Sequence, residues 1–148
     1  MAITKEETAE AVRRYVAHFN SGDMKAVVGM DAGCVTLSWR GAAWRDLRAI
    51  SEDVYLKALQ RLREQFEYRR MDLEELNTSV ESDIGLAWGI GTEFFKMKGR
   101  PEEHARVRFS LVLKKSAAGW KVLLDHRDAQ PFDKEGRWVP LTGIWQNK

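Results

Sequence analysis

The chain has 148 residues, 44% of them hydrophobic and 31% charged, a balance that fits one folded domain and excludes disorder. Its 24 basic and 22 acidic residues leave a formal net charge of +2, too little to draw it to nucleic acid or an anionic membrane. Cys34 stands alone, so no internal disulfide is expected. The start, MAITKEETAE, lacks the apolar core of a signal peptide, and no apolar run approaches the roughly 20 residues of a membrane span, so a cytoplasmic protein is expected.

Thr4 and Glu7 form a capping box, and Val12, Tyr15, Val16 and Phe19 recur behind it at helical spacing. Gly22 suits the left-handed position that ends a helix, and Asp23 can cap a short second helix, Met24–Met30. Val35–Trp39 alternates as a strand, Gly41-Ala42-Ala43 makes a turn, and Trp44 sits on a short return. Asp46 is a candidate cap for a long helix reaching about Phe66. Its expected apolar stripe is Ile50, Val54, Ala58, Leu62 and Phe66, with Tyr55 and Leu59 alongside and Leu56 off it.

Four strands are expected next. Met71, Leu73 and Leu76 mark the first, and Ser82-Asp83 a turn. The second, Ile84–Met97, is interrupted by Gly85, Gly89 and Gly91, the kind of break a strongly bent sheet needs. A loop over Lys98–Glu103 leads to Arg106–Pro131, where Val107, Phe109, Leu111 and Leu113 alternate with polar residues and Gly119 turns the chain into a last strand, Trp120–Asp128. Helices followed by strands argue α+β, with a curved antiparallel sheet wrapped around a helix.

The stretch Arg108-Phe-Ser-Leu-Val-Leu-Lys-Lys, then Gly119-Trp-Lys-Val-Leu, Asp125-His126 and Pro131, resembles the end of the nuclear transport factor 2-like superfamily. The nearest branch is the SnoaL-like, ketosteroid isomerase-related small domains, and the ending is also similar to the calcium/calmodulin-dependent kinase II hub domain. Phe19-Asn-Ser-Gly-Asp23 resembles the family's first turn. The resemblance spans about residues 5–131 of a single domain, 1–148, with 132–148 as a C-terminal extension. It implies a cone-shaped α+β fold around a long helix plus N-terminal helices, a pocket between helices and sheet, and a homodimer formed through the sheet. It does not imply one reaction, because the superfamily includes isomerases, dehydratases, cyclases, transport factors and assembly hubs. Leu124 stands where the first His of the family's H-x-H ending is common, and Arg127-Asp128 replace its small hydroxyl pair.

Several residues can carry chemistry, each beside a plainer reading. His126, next to Asp125 and Asp128, is a candidate general base or a histidine bonded to backbone at an interface. Arg108 and Arg127 form an expected anion clamp if they meet, or pair with internal acids such as Glu93 or Asp128, which complete the candidate ligand set, or lie in solvent at a sheet edge. Strand parity leaves this open, since only a bulge or strong twist would bring His126 and Arg127 into one cavity. Tyr15 is a candidate hydrogen-bond donor, or a core residue. Trp39 and Trp44 suit the wall of a pocket for a flat apolar ligand, and equally a protein interface. Arg61, Arg63, Arg69 and Arg70, interleaved with Glu64 and Glu67, read as a solvated face. His18, His104 and His126 lack metal-ligand spacing, and Gly89-Ile-Gly91 opens no helix, so neither a metal nor a nucleotide cofactor is expected. The leading expectation is a small-molecule-binding domain for a small apolar or acidic compound. If catalytic, it would use cofactor-free acid/base chemistry of the dehydratase, isomerase or cyclase type. The alternative is a non-catalytic interaction or assembly module.

Overall fold

The computed structural model describes residues 2–38, 43–131 and 135, and in it helix α1, Lys5–Ser21, lies against a six-stranded sheet. Helix α2, Met24–Asp31, and the short hairpin β1, Val35–Ser38, and β2, Ala43–Asp46, follow. Helix α3, Glu52–Glu64, then leads into β3, Phe66–Glu81, β4, Ile84–Met97, β5, Glu103–Ser116, and β6, Gly119–Pro131. The sheet order is β2-β1-β6-β5-β4-β3. The long strands pair antiparallel, as expected, but β1 runs parallel to β6, so the sheet is mixed.

The ends of α1 form as the sequence requires. The Thr4 hydroxyl accepts from the Glu7 amide while Glu7 accepts from the Thr4 amide, and Gly22 adopts φ +78° at the other end. Thr8, Ala11, Val12 and Tyr15 form the buried face of α1. The Asn20 side chain exchanges two hydrogen bonds with the backbone of Met71 on edge strand β3. That pairing satisfies the outward N–H and C=O of one edge-strand residue.

The sheet bends where β3 and β4 lose register, between Leu73 and Glu75. A Cβ on Gly89 would overlap the Glu75 carbonyl oxygen, and one on Gly91 would come within 2.7 Å of the Asp72 carbonyl oxygen. Glycine is therefore what lets the two strands close over each other at the bend.

Two expectations about the middle of the chain are corrected. Asp46 caps only a single 3-10 turn, Leu47–Ala49, and Ser51 caps α3. The stripe of α3 is also displaced. Ile50, Val54 and Leu62 are exposed, whereas Tyr55, Leu56 and Leu59 pack on the core. Both α1 and α2 carry buried residues, whereas α3 carries none. No helix among the described residues is long and apolar enough to cross a membrane.

Candidate functional site

Between α1, α2, α3 and the inner sheet face lies a cavity of about 150 Å³. Its apolar lining includes Phe19, Met24, Val27 and Leu59; its polar lining includes Tyr15, Asp31, Tyr55, Arg69, Glu93, Asp125 and Arg127.

Asp31 ends α2, a helix otherwise held by its apolar face, and is only 4% exposed. The Tyr15 hydroxyl, from the buried face of α1, donates to Asp31 Oδ2 at 2.8 Å, and the Tyr55 hydroxyl, from α3, donates to the same oxygen at 3.1 Å. Asp31 Oδ1 is buried and accepts no hydrogen bond from the described residues. Burial dominates and pushes the Asp31 carboxyl up to about 6; the two tyrosine hydroxyls oppose that rise, and the charge of Asp125 adds to it. Burial, then the neighbouring carboxylates, also holds both phenols above their ordinary range, so they remain protonated donors.

The opposite wall comes from β6. Arg127 donates through Nε and Nη2 to the two oxygens of Asp125, at 3.3 and 3.0 Å. The Asp125 charge, against the effect of burial, raises Arg127 further above its usual value, so the guanidinium stays charged. Tyr15 also lies 3.3 Å from Asp125 Oδ2. Its single proton takes the shorter bond to Asp31, and the second carboxylate is balanced by Arg127. On β3 and β4, Arg69 pairs with the fully buried Glu93 at 2.6 Å. Both guanidinium groups lie over the Phe19 ring, at 5.0 Å from Arg69 and 5.4 Å from Arg127. Cys34 also lines the cavity, and burial pushes its thiol up to about 12, so it stays unionised.

The expected residues divide between the two faces of the sheet. Tyr15, Arg127 and Glu93 reach the cavity. His126, Arg108 and Asp128 do not. His126 is 40% exposed on the outer face, with Ser110 Oγ at 3.4 Å and Asp128 Oδ1 at 3.2 Å, and Arg108, 75% exposed, reaches Asp128 at 3.1 Å. The clamp of Arg108 with Arg127 is not assembled. The physical reason is a register shift in β6. Leu113 faces Val122 and Val112 faces Leu124, so Leu123 is an extra residue. Val122 and Asp125 thus share the inner face, and Arg127 and Ala129 follow them inward. The bulge exists, but at Leu123, where it turns Arg127 inward and His126 outward; plain alternation then keeps these two neighbours on opposite faces.

Trp44 is 69% exposed and does not line the cavity, and Trp39 lies outside the described residues, as does nearly all of the extension 132–148. No tryptophan among the described residues lines the cavity, whose wall is apolar on one part and carries five charged side chains on the other. Three site residues escaped the sequence reading. Arg69 passed for a surface charge, but its side chain is 16% exposed and turned inward opposite Phe95. Tyr55 was placed beside the wrong stripe. Asp31 had a faint signal, an acid at a helix C-terminus, where the helix dipole disfavours negative charge. No cluster able to hold a metal occurs among the described residues.

No family model matches the chain, and no curated protein does. Solved structures do. A nuclear transport factor 2-like superfamily protein from Salmonella enterica is 19% identical, with a TM-score of 0.67 over 88% of this chain and 92% of that one. A candidate dehydratase of the same family from Streptomyces avermitilis is 18% identical, with a TM-score of 0.67 over 84% of this chain and 94% of that one. A candidate calcium/calmodulin-dependent protein kinase II association domain from Xanthomonas campestris is 16% identical, with a TM-score of 0.68 over 84% and 86%. The helices packed on a curved open sheet are thus those of the nuclear transport factor 2-like α+β cone, and that is the fold of this chain.

Proposed function

We propose that the cavity binds a small organic molecule and catalyses cofactor-free proton transfer at carbon, with Asp31 as the base. The observation that carries this reading is the Asp31 carboxyl itself. It is buried at the cavity wall, both tyrosines hold one of its oxygens, and its other oxygen has no partner among the described residues. A carboxyl raised to about 6 is a base matched to neutral pH. The volume of about 150 Å³ suits a molecule of roughly the size of benzene. In the proposed step the Asp31 carboxylate takes a proton from the carbon beside a carbonyl, and the electron pair moves toward the carbonyl oxygen. As the proton leaves, Asp31 loses its charge, so the site's charge count does not change, while Arg69 and Arg127, each held by one carboxylate, keep their full charge beside the oxygen that becomes negative. Asp31 then returns the proton to another carbon, an isomerisation, or gives it to a β-hydroxyl that departs as water, a dehydration. The likeness to a candidate dehydratase supports the fold's capacity for such chemistry.

In this proposal the base is Asp31 rather than the expected His126, and Tyr15 and Tyr55 orient it. The experiment uses 3-cyclohexenone and 3-hydroxycyclohexanone, which give the same conjugated enone by the two routes and are followed by its ultraviolet absorbance. Turnover of either is expected, with a loss of about 100-fold or more in Asp31→Asn and no comparable loss in His126→Ala. Absence of turnover with both, or full activity in Asp31→Asn, refutes the assignment.

A second reading concerns the outer sheet face. Trp88 is 46% exposed there, Leu86 and Leu123 are exposed as well, and His126 and Arg108 border them. Apolar surface of this kind marks an interaction face. We propose that it pairs two copies of the chain through their sheets. The neighbouring association domain is consistent with assembly on this fold. A cytoplasmic location, expected from the sequence, is part of the same proposal.

A further inference from the structure

The structure assigns the cavity to ligands that carry no negative charge, an uncharged hydroxy compound or a protonated amine, in preference to carboxylates. This deepens the reading of the cavity as a small-molecule site and rests on it. Two arginines in a pocket ordinarily mark an anion site. Here each is already committed. Arg127 spends two donors on the two oxygens of Asp125, and Arg69 sits 2.6 Å from Glu93. Asp31 is the third carboxylate and has no arginine of its own; its partners are phenols. With Asp31 ionised, the polar wall holds three carboxylates against two guanidinium groups, one excess negative charge in a place of low dielectric.

Every ionisable neighbour agrees with that count. Tyr15 on α1, Tyr55 on α3 and Cys34 before β1 all remain neutral. Arg69 from β3, Glu93 from β4, and Asp125 and Arg127 from β6 are paired. A carboxylate ligand would add a second unbalanced charge and could enter only with a proton placed on Asp31. An ammonium would instead balance the excess charge, and a hydroxyl would add nothing to it.

Three probes of one size test this: benzyl alcohol, benzylamine and benzoate, with affinities measured by ligand-observed NMR on the full chain at pH 7.5 and pH 5. At pH 7.5 the alcohol and the amine are expected to bind at least about tenfold more tightly than benzoate. At pH 5, below the value of about 6 at Asp31, the amine should weaken about tenfold and benzoate should tighten by about tenfold or more. In Asp31→Asn the ranking should collapse and lose its pH dependence. Benzoate binding as tightly as the alcohol at pH 7.5, or a ranking unchanged in Asp31→Asn, overturns the inference while leaving a small-molecule site in place. Failure of all three to bind overturns the small-molecule reading itself, and this inference with it.

Discussion

Replacing Asp31 by Asn should make the protein more stable, by an amount that depends on pH. The Asp31 carboxyl lies at about 6 in the folded chain against an ordinary 3.8. Above pH 6 it is ionised both folded and unfolded, and the folded state alone bears the burial of that charge. Between 3.8 and 6 the folded state keeps a proton that the unfolded state has released, so this group's contribution to stability is fully present below 3.8 and is lost as the pH rises through about 6. At about 1.4 kcal/mol per pH unit, the loss amounts to about 3 kcal/mol at pH 7.5. An Asn carries no charge and keeps an amide oxygen for Tyr15 and Tyr55. The expected gain for Asp31→Asn is therefore about 3 kcal/mol at pH 7.5 and about 1 kcal/mol at pH 4.5. Any pH-independent packing effect of the amide cancels in the difference, about 2 kcal/mol. For a chain of this length each kcal/mol moves Tm by roughly 2–4 °C, so the gain should be about 6–12 °C at pH 7.5 and about 2–4 °C at pH 4.5. Urea and thermal melts of both proteins at the two pH values measure it. A gain that is the same at both, or none at pH 7.5, would refute the view that Asp31 is held against its own ionisation.

Other substitutions probe the remaining parts. Arg127→Met strands the buried Asp125 carboxylate and should cost about 3–5 kcal/mol, whereas adding Asp125→Leu to it should recover most of the loss; urea melts would expose an error if the double variant is no better than the single. Gly89→Ala drives a methyl into the Glu75 carbonyl and should lower stability by about 1–3 kcal/mol, read as a fall in Tm, while an unchanged Tm would mean the bend does not depend on that contact. Trp88→Lys should halve the solution mass seen by light scattering with little change in far-ultraviolet circular dichroism; a wild type that is already monomeric at tens of micromolar would dispose of the sheet-to-sheet pairing.

Much of the frame could be read before any coordinates. Thr4, Glu7, Gly22 and Asp23 each carry local chemistry that works wherever a helix begins or ends, so α1 and the start of α2 followed directly. The long strands showed in their alternation, because one face of each is buried and the other is not. Tyr15 was placed on the buried face of α1 for the same reason. What alternation does not reveal is where it slips. Leu123 and Leu124 are both leucines, so nothing in the residue types marks one of them as extra, and the face of His126 stayed open until pairing with β5 was known. Arg69 was missed because a surface arginine beside a glutamate and a buried one facing Glu93 look alike until β3 and β4 are laid side by side. Asp31 depends on three elements converging from positions 15, 31 and 55, a coincidence of tertiary structure that no local pattern encodes.

The spare leucine in β6 also bears on how this chain can change. Val122 and Asp125 already point the same way with one residue too many between them, so losing Leu123 would return the strand to plain alternation without turning the wall of the cavity around. A shortened chain of that kind keeps its arginine–aspartate pair inside and its histidine outside. Length variation here, ordinarily ruinous in the middle of a sheet, is absorbed within the wall of the site.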